Sequence, residues 1–338
     1  MVLPPDGHVH TEWSWDTVTG SMIGSCERAL ELGLPSVAFT EHADLTPWLI
    51  PEPIRPLLPD HFRVRLRPDG VLEPPDLDVA GYLACVEECR ERFPSLRILS
   101  GVELSEPHWH RPRADALLAA HEFDRVLGSV HSLPGDGGHH HELTVISGRP
   151  PGEILRAYLE EVLGLVESTA DFAVLAHLDY ALRSWPAEGP PFVAADYEEE
   201  FRTVLRALAA SGRALEVNTK VPLPGEVVRW WFEEGGDAVA FGSDAHEPGL
   251  VGHGFPEAAA MVEASGFRPG RTPVTFFVAP DQGVVVTRPG MTCAPSRRHD
   301  PGGGVTGPGG IEGPLIGTRP PPGRSRRNVG AGHRCPTR

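Results

Sequence analysis

The chain has 338 residues, a formal net charge of −16, 40% hydrophobic residues and 22% charged residues. That composition excludes a fibrous or wholly disordered protein, and the length can bury a full core without disulfide or metal staples. No apolar run reaches the ~18 residues of a membrane span, and the start Met-Val-Leu-Pro-Pro-Asp-Gly-His has no room for a signal peptide, so a cytoplasmic protein without a membrane partner is expected.

In chain order, short apolar runs alternate with helical patterns up to about residue 280. The runs cover residues 7–10, 36–40, 96–102, 125–130, 172–176, 214–217 and 238–241. Over 153–168, Ile154, Leu155, Tyr158, Leu159, Val162 and Leu163 share one stripe at the 3.6-residue period. Over 193–211, Val193, Tyr197, Phe201, Val204, Leu205 and Leu208 do the same. Seven strand–helix units predict an α/β fold with a closed or nearly closed parallel barrel. Residues 44–77 interrupt the alternation with eight prolines and Trp48. That stretch is too long for an ordinary connection and reads either as a lid or wall over a site or as an ordered surface excursion.

The five cysteines are too scattered for a disulfide scaffold. Cys85 and Cys89, four apart, could pair two thiolates around a metal, but a buried helical face in a reducing compartment is the simpler reading. Residues 288–338 hold nine arginines against Asp300 and Glu312, with GPGG, GGG and PPPG among them. This composition predicts a disordered basic tail after a barrel domain spanning 1–287. The acidic body argues against duplex nucleic acid as a partner of the folded part.

The strand ends carry the chemistry. The first run ends in His8 and His10, the second in Glu41 and His42, the third in Glu103, the fourth in His131, the fifth in His177, and the seventh in Asp244 and His246. Asp16 follows the first run closely. In a parallel barrel these C-terminal ends converge on one face, where barrel enzymes build their sites. Spacing of i, i+2 puts His8 with His10, and Asp244 with His246, on one side of an extended chain. A lone histidine is usually structural, and His61, His108, His110, His121, His253, His299 and His333 are read that way. His139, His140 and His141 read as a loop. The coincidence at six of seven strand ends carries the inference.

Six histidines and three carboxylates exceed one ion's needs and fit three divalent ions, with a carboxylate such as Glu103 bridging two. Imidazole and carboxylate without cysteine suit Zn, Mn or Fe. Three such ions against three carboxylates leave about +3 at the mouth, a site for a phosphate monoester dianion. A multi-metal cluster also offers a bridging hydroxide as nucleophile and contacts for the leaving oxygen.

The motifs HVH at 8–10, FTEH at 39–42, GVELS at 101–105, GSVH at 128–131, AHLD at 176–179, LEVN at 215–218 and GSDAH at 242–246 resemble the polymerase-and-histidinol-phosphatase (PHP) superfamily of metal-dependent phosphoesterases. GFRPGRTP at 266–273 is similar to the end of its stand-alone histidinol-phosphatase branch. The resemblance implies a distorted (β/α)7 barrel with three metals. His8, His10, Glu103 and Asp244 would hold one ion; Glu103, His131 and His177 the second; Asp16, His42 and His246 the third. It further implies hydrolysis of L-histidinol phosphate to L-histidinol and phosphate, with Glu103, Asp244 and His246 at the catalytic centre. Arg183 and Asn218 are candidate substrate contacts, the first to a phosphate oxygen. Glu216 is a candidate support for a ligand. Asp179 could orient an imidazole or cap a loop.

An amidohydrolase-type barrel also opens with HxH, but its metals are usually bridged by a carboxylated lysine from a mid-barrel strand. The sole lysine here, Lys220, follows the sixth strand. Within the PHP superfamily, a nucleotide, an oligonucleotide or a phosphotyrosine protein are alternative substrates. A metal-binding regulatory or interaction protein is the non-enzyme alternative.

Overall fold

The computed structural model describes residues 3–143, 149–270 and 277–278. The expected tail at 288–338 and the end of the GFRPGRTP run lie outside them. The barrel alternates β1 (Asp6–Val9), α1 (Met22–Leu32), β2 (Ser36–Asp44), α2 (Val79–Arg92), β3 (Arg97–Ser105), α3 (Arg111–Ala120), β4 (Arg125–Ser129), α4 (Pro151–Glu167), β5 (Val174–Leu175), α5 (Glu198–Ser211), β6 (Ala214–Asn218), α6 (Gly225–Glu233), β7 (Ala238–Gly242) and α7 (Phe255–Ala264). The seven strands pair in chain order and in parallel.

Closure is local. Past the end of β7, Val9 bridges Ala245, the His10 N–H donates to Ala245 O at 2.8 Å, and the Asp244 N–H donates to His8 O at 2.8 Å. Asp6 reinforces the seam: its carboxylate accepts from Ser243 N–H at 3.0 Å, Ser243 Oγ at 2.6 Å and Gly252 N–H at 2.9 Å. At the other end of β7, Phe277–Val278 adds an antiparallel edge. The result is a nearly closed, distorted barrel, irregular because β1 has four residues and β5 only two.

The helices follow from capping and apolar stripes. Ser21 caps α1 through Gly24 N–H, and Gly33 ends it at φ 68°, a left-handed conformation that glycine adopts without cost. Three glutamates open α5, where the helix dipole favours negative charge. That helix starts at Glu198, later than the periodicity suggests, because Ala194–Tyr197 form a separate 3-10 turn. Leu155, Tyr158, Leu159 and Val162 of α4 and Phe201, Val204, Leu205 and Leu208 of α5 are buried in the main core cluster. Tyr82 of α2 ties the helix layer to the barrel, donating to Phe39 O at 2.8 Å and accepting from Gly101 N–H at 2.7 Å.

Two strands run further than expected. β2 and β3 stay paired over nine residues each, from Ser36 opposite Arg97 to Asp44 opposite Ser105, so His42 and Glu103 face each other within the ladder. Cys85 and Cys89 are buried on α2, with Cys89 against Cys26 of α1. Among the described residues, no metal-capable group includes a cysteine.

The proline-rich stretch is built into a second, four-stranded sheet. Trp48–Leu49 pairs antiparallel with Val71–Leu72 and parallel with His140–Glu142, which in turn pairs with Ser132–Pro134. This corrects the loop reading of His139–His141 for the last two residues. Glycines bound the segment, but backbone pairing to Pro134, Leu133 and Trp48 makes His140 and His141 strand residues. Trp48, Ile50, Leu58 and Leu72 form a separate apolar cluster with Trp15, Ile54, Phe62 and Leu66 packed on it.

Candidate metal and active site

The C-terminal mouth gathers all nine residues expected as metal ligands. Glu103, fully buried, is the centre. Its Oε1 lies 2.6 Å from His177 Nε2 and 3.2 Å from His131 Nε2; its Oε2 lies 3.1 Å from His42 Nδ1, 3.3 Å from His8 Nε2 and 3.4 Å from His10 Nε2. Asp16 reaches His246 Nε2 at 3.1 Å and His42 Nε2 at 3.4 Å. Asp244 lies 3.6 Å from His10 Nε2.

This donor set fits divalent cations. Five imidazoles surround one carboxylate that offers about four acceptor directions. Nε2 atoms face each other, His8 to His10 at 2.9 Å and His131 to His177 at 3.3 Å. His42 Nδ1 and His177 Nδ1 are buried and make no hydrogen bond among the described residues. The Nδ1 atoms of three others are held from behind. His8 Nδ1 lies 2.8 Å from Glu216 Oε1, His131 Nδ1 lies 3.2 Å from Asp44 Oδ1, and His10 Nδ1 lies 3.0 Å from Ser14 Oγ, which donates to Glu41 at 2.6 Å. Such partners fix ring and tautomer in metal-ligating histidines. The ligand atoms that could share an ion include the groups His8–His10–Glu103, Glu103–His131–His177, His10–His42–His246 and His42–Asp44–His131.

Burial and charge split the titration of the cluster. Burial pulls His8, His42 and His131 down, but neighbouring carboxylates outweigh it and leave all three above the ordinary histidine range, His131 at about 10. Burial dominates for His10 and for His177, which falls to about 4. Burial opposes ionisation of Glu103, yet the surrounding histidines hold its carboxyl well below the usual range.

Local geometry is strained at this mouth. His177, Asp244 and Glu106 have φ of 21°, 51° and 44°, values that cost a non-glycine residue about 1–3 kcal/mol each. Each is held by its surroundings. The His177 N–H donates to Glu216 at 2.7 Å, and Glu106 accepts from His131 N–H at 2.6 Å, Ser132 N–H at 2.9 Å and Thr46 Oγ1 at 2.8 Å. Gly242 is required opposite: a Cβ there would lie 2.1 Å from Glu216 Oε1 and 2.6 Å from His8 Cβ.

A cavity of about 370 Å³ opens over the cluster. Asp16, His42, Glu103, His131, His177, Asp244 and His246 form its polar end, while His8 and His10 are fully buried and do not line it. Trp15, Trp48, Ile50, Phe62 and Leu72 are on the apolar part of the wall, so the proline-rich stretch contributes directly to it. Arg183 lines the cavity, and its Nη2 donates to Asp244 Oδ2 at 2.6 Å. Asn218 is buried and does not line it; its Nδ2 donates to Glu216 at 3.2 Å and its Oδ1 accepts from Lys220 N–H at 3.0 Å. Asp179 is buried, neither carboxylate oxygen has a hydrogen bond among the described residues, and burial pushes it up to about 7.

Several residues of the site escape the sequence reading. Asp44 is two residues beyond His42 on the same strand, so the i, i+2 rule applied to His8 and His10 could have found it. Lys220 Nζ lies 3.3 Å from both Asp244 Oδ1 and His246 Nδ1. Tyr180 and Glu142 also line the cavity, and no spacing in the sequence points to them.

The model of the family described as "PHP domain" matches residues 6–220. A probable histidinol-phosphatase of Deinococcus radiodurans is 27% identical over 282 residues, covering 80% of this chain and 95% of the relative. One from Clostridium acetobutylicum is 26% identical over 185 residues, covering 53% and 72%. Among solved structures, histidinol phosphate phosphatase from Lactococcus lactis, complexed with zinc, L-histidinol and phosphate, superposes with a TM-score of 0.64 at 22% identity over 82% of this chain and 98% of that one.

Proposed function

The chain belongs to the PHP domain family, and from that premise we propose that it is a metal-dependent phosphomonoesterase converting L-histidinol phosphate and water to L-histidinol and phosphate. The observation that carries the reading is the convergence of five imidazoles within 3.4 Å of Glu103 inside a cavity mouth. The relatives named histidinol-phosphatase, matched over most of their own lengths, supply the substrate.

Three divalent ions, Zn, Mn or Fe, would be held by His8, His10, Glu103 and Asp244; by Glu103, His131 and His177; and by Asp16, His42 and His246. When bound, such ions would offset phosphate charge and lower the pKa of a water. The chain's residues do the rest. Glu103 joins two ligand sets through its two oxygens. Glu216, Ser14 and Asp44 orient His8, His10 and His131. Arg183 and Lys220 grip Asp244 from its two oxygens and put two cations beside the phosphate seat. The apolar wall excludes water from the organic half of the ester.

The experiment is phosphate release from L-histidinol phosphate, p-nitrophenyl phosphate and a nucleoside monophosphate by zinc- or manganese-reconstituted protein. A strong kcat/KM preference for L-histidinol phosphate, abolished by chelation and restored by metal, is expected. Slow, equal turnover of all three would reject that substrate.

A further inference from the structure

Among the described residues, Arg183 and Lys220 are the permanent cations that line the cavity. They are held very differently. The Arg183 side chain is 13% exposed and closes on Asp244 Oδ2 at 2.6 Å. The Lys220 side chain is 39% exposed, and its contacts are long: Nζ lies 3.3 Å from Asp244 Oδ1, 3.4 Å from Asp244 O and 3.3 Å from His246 Nδ1. Charge-assisted N–H···O bonds normally close to about 2.7–2.9 Å. The ammonium therefore rests at the edge of the cluster without being locked there. Its backbone, by contrast, is fixed. The Lys220 N–H donates to Asn218 Oδ1 at 3.0 Å, and the Thr219 N–H donates to Gly242 O at 2.9 Å. A rigid base thus carries a flexible arm with three donors at the mouth of the site.

One of the three contacts competes with metal binding. His246 Nδ1 also lies 3.0 Å from Asp244 O, and its Nε2 faces Asp16 Oδ2 at 3.1 Å. An ion held on Nε2 would keep the ring proton on Nδ1, where Asp244 O accepts it. Nδ1 then has no lone pair left for Lys220. The ammonium keeps only a long contact to a carboxylate whose other oxygen Arg183 already takes, so a phosphate dianion in the cavity is the better partner. Lysine suits such an exchange, being a compact point charge on a four-carbon stem, whereas the arginine fork favours one fixed geometry. It is the one lysine among the chain's 30 basic residues. We propose that Lys220 is a catalytic residue, the cation that leaves the Asp244–His246 edge to bind a phosphate oxygen of the ester. The inference rests on the phosphatase reading above and deepens it: one cation of the mouth stays with Asp244, and the other travels to the substrate.

The test uses the full chain, zinc-loaded, and reads Lys220 directly. Wild-type protein is acetylated with N-hydroxysuccinimidyl acetate at increasing inorganic phosphate, and acetylation of Lys220 is followed by peptide mass. Saturating phosphate is expected to slow it by at least about tenfold, with a midpoint equal to the inhibition constant of phosphate in turnover. Lys220→Met, which keeps the stem and removes the charge, should raise KM and that inhibition constant together by about tenfold at unchanged zinc content. Lys220→Arg should recover part of the loss. Acetylation indifferent to phosphate, or wild-type phosphate affinity in Lys220→Met, overturns the inference. So does a loss in Lys220→Met that added zinc repairs in full, which would make Lys220 a support of Asp244 alone. The two readings fail separately. Phosphate protection of Lys220 in a protein inert toward L-histidinol phosphate refutes the substrate and keeps the contact. Turnover of L-histidinol phosphate with Lys220 acetylated equally fast at saturating phosphate does the reverse.

Discussion

Arg183 and Asp244 form a nearly dry ion pair, Nη2 to Oδ2 at 2.6 Å, with the aspartate side chain 3% exposed and the arginine 13%. Lys220 approaches the other carboxylate oxygen at 3.3 Å. Its backbone, at a φ of 51°, is held separately by the Asp244 N–H donating to His8 O at 2.8 Å. Burial opposes the charge on Arg183, but the Asp244 and Asp179 carboxylates outweigh it and hold the guanidinium above its ordinary range, so it stays protonated. The same guanidinium thus orients a candidate ligand and faces the cavity.

Removing that charge should act on both roles. Arg183→Gln is expected to raise KM for the phosphate ester and lower kcat/KM about 10- to 100-fold, the scale of one or two charge-assisted hydrogen bonds. Arg183→Lys should recover part of the loss. Steady-state kinetics on the two variants check it; unchanged KM in Arg183→Gln would show that the guanidinium serves Asp244 alone.

Glu216 touches His8 Nδ1, the His177 N–H and Asn218, but does not line the cavity. Glu216→Ala should therefore weaken metal binding about 10- to 100-fold, the usual effect of removing a partner behind a ligating histidine. Its KM for the ester, measured at saturating metal, should stay near wild type. Chelator competition gives the first quantity and kinetics the second.

Asp6 makes a stability prediction at the barrel seam. Asp6→Ala strands the Ser243 and Gly252 N–H groups that its carboxylate accepts, at a cost of roughly 2–4 kcal/mol. Because Ser243 precedes Asp244, metal retention should fall as well. Urea denaturation of the metal-free protein measures the first effect, and a midpoint equal to wild type would contradict it.

The barrel is legible in the sequence because its signals are local and repeated. Seven apolar runs separated by amphipathic helices leave few topologies, and a parallel barrel brings their ends together whatever the loop lengths. For the same reason His8, His10, Asp16, His42, Glu103, His131, His177, Asp244 and His246 can be assembled without coordinates. Asp44 was hidden by strand length: the apolar run stops at Thr40, whereas the ladder with β3 continues to Asp44 because residues facing the mouth need not be apolar. The 44–77 stretch and His140–Glu142 were opaque for a different reason. Their strands are two or three residues long, carry no periodicity, and form only because distant segments pair across the mouth. Tyr180 and Glu142 meet through such pairing, 38 residues apart.

The central claim is that Glu103 holds together a catalytic metal centre. The most direct measurement is Glu103→Gln, assayed for bound zinc by elemental analysis and for phosphate release from L-histidinol phosphate on the same preparation. Loss of zinc and of turnover together is the expected result, since the substitution removes the one charge shared by five imidazoles. Turnover near wild type with a full complement of metal would contradict it.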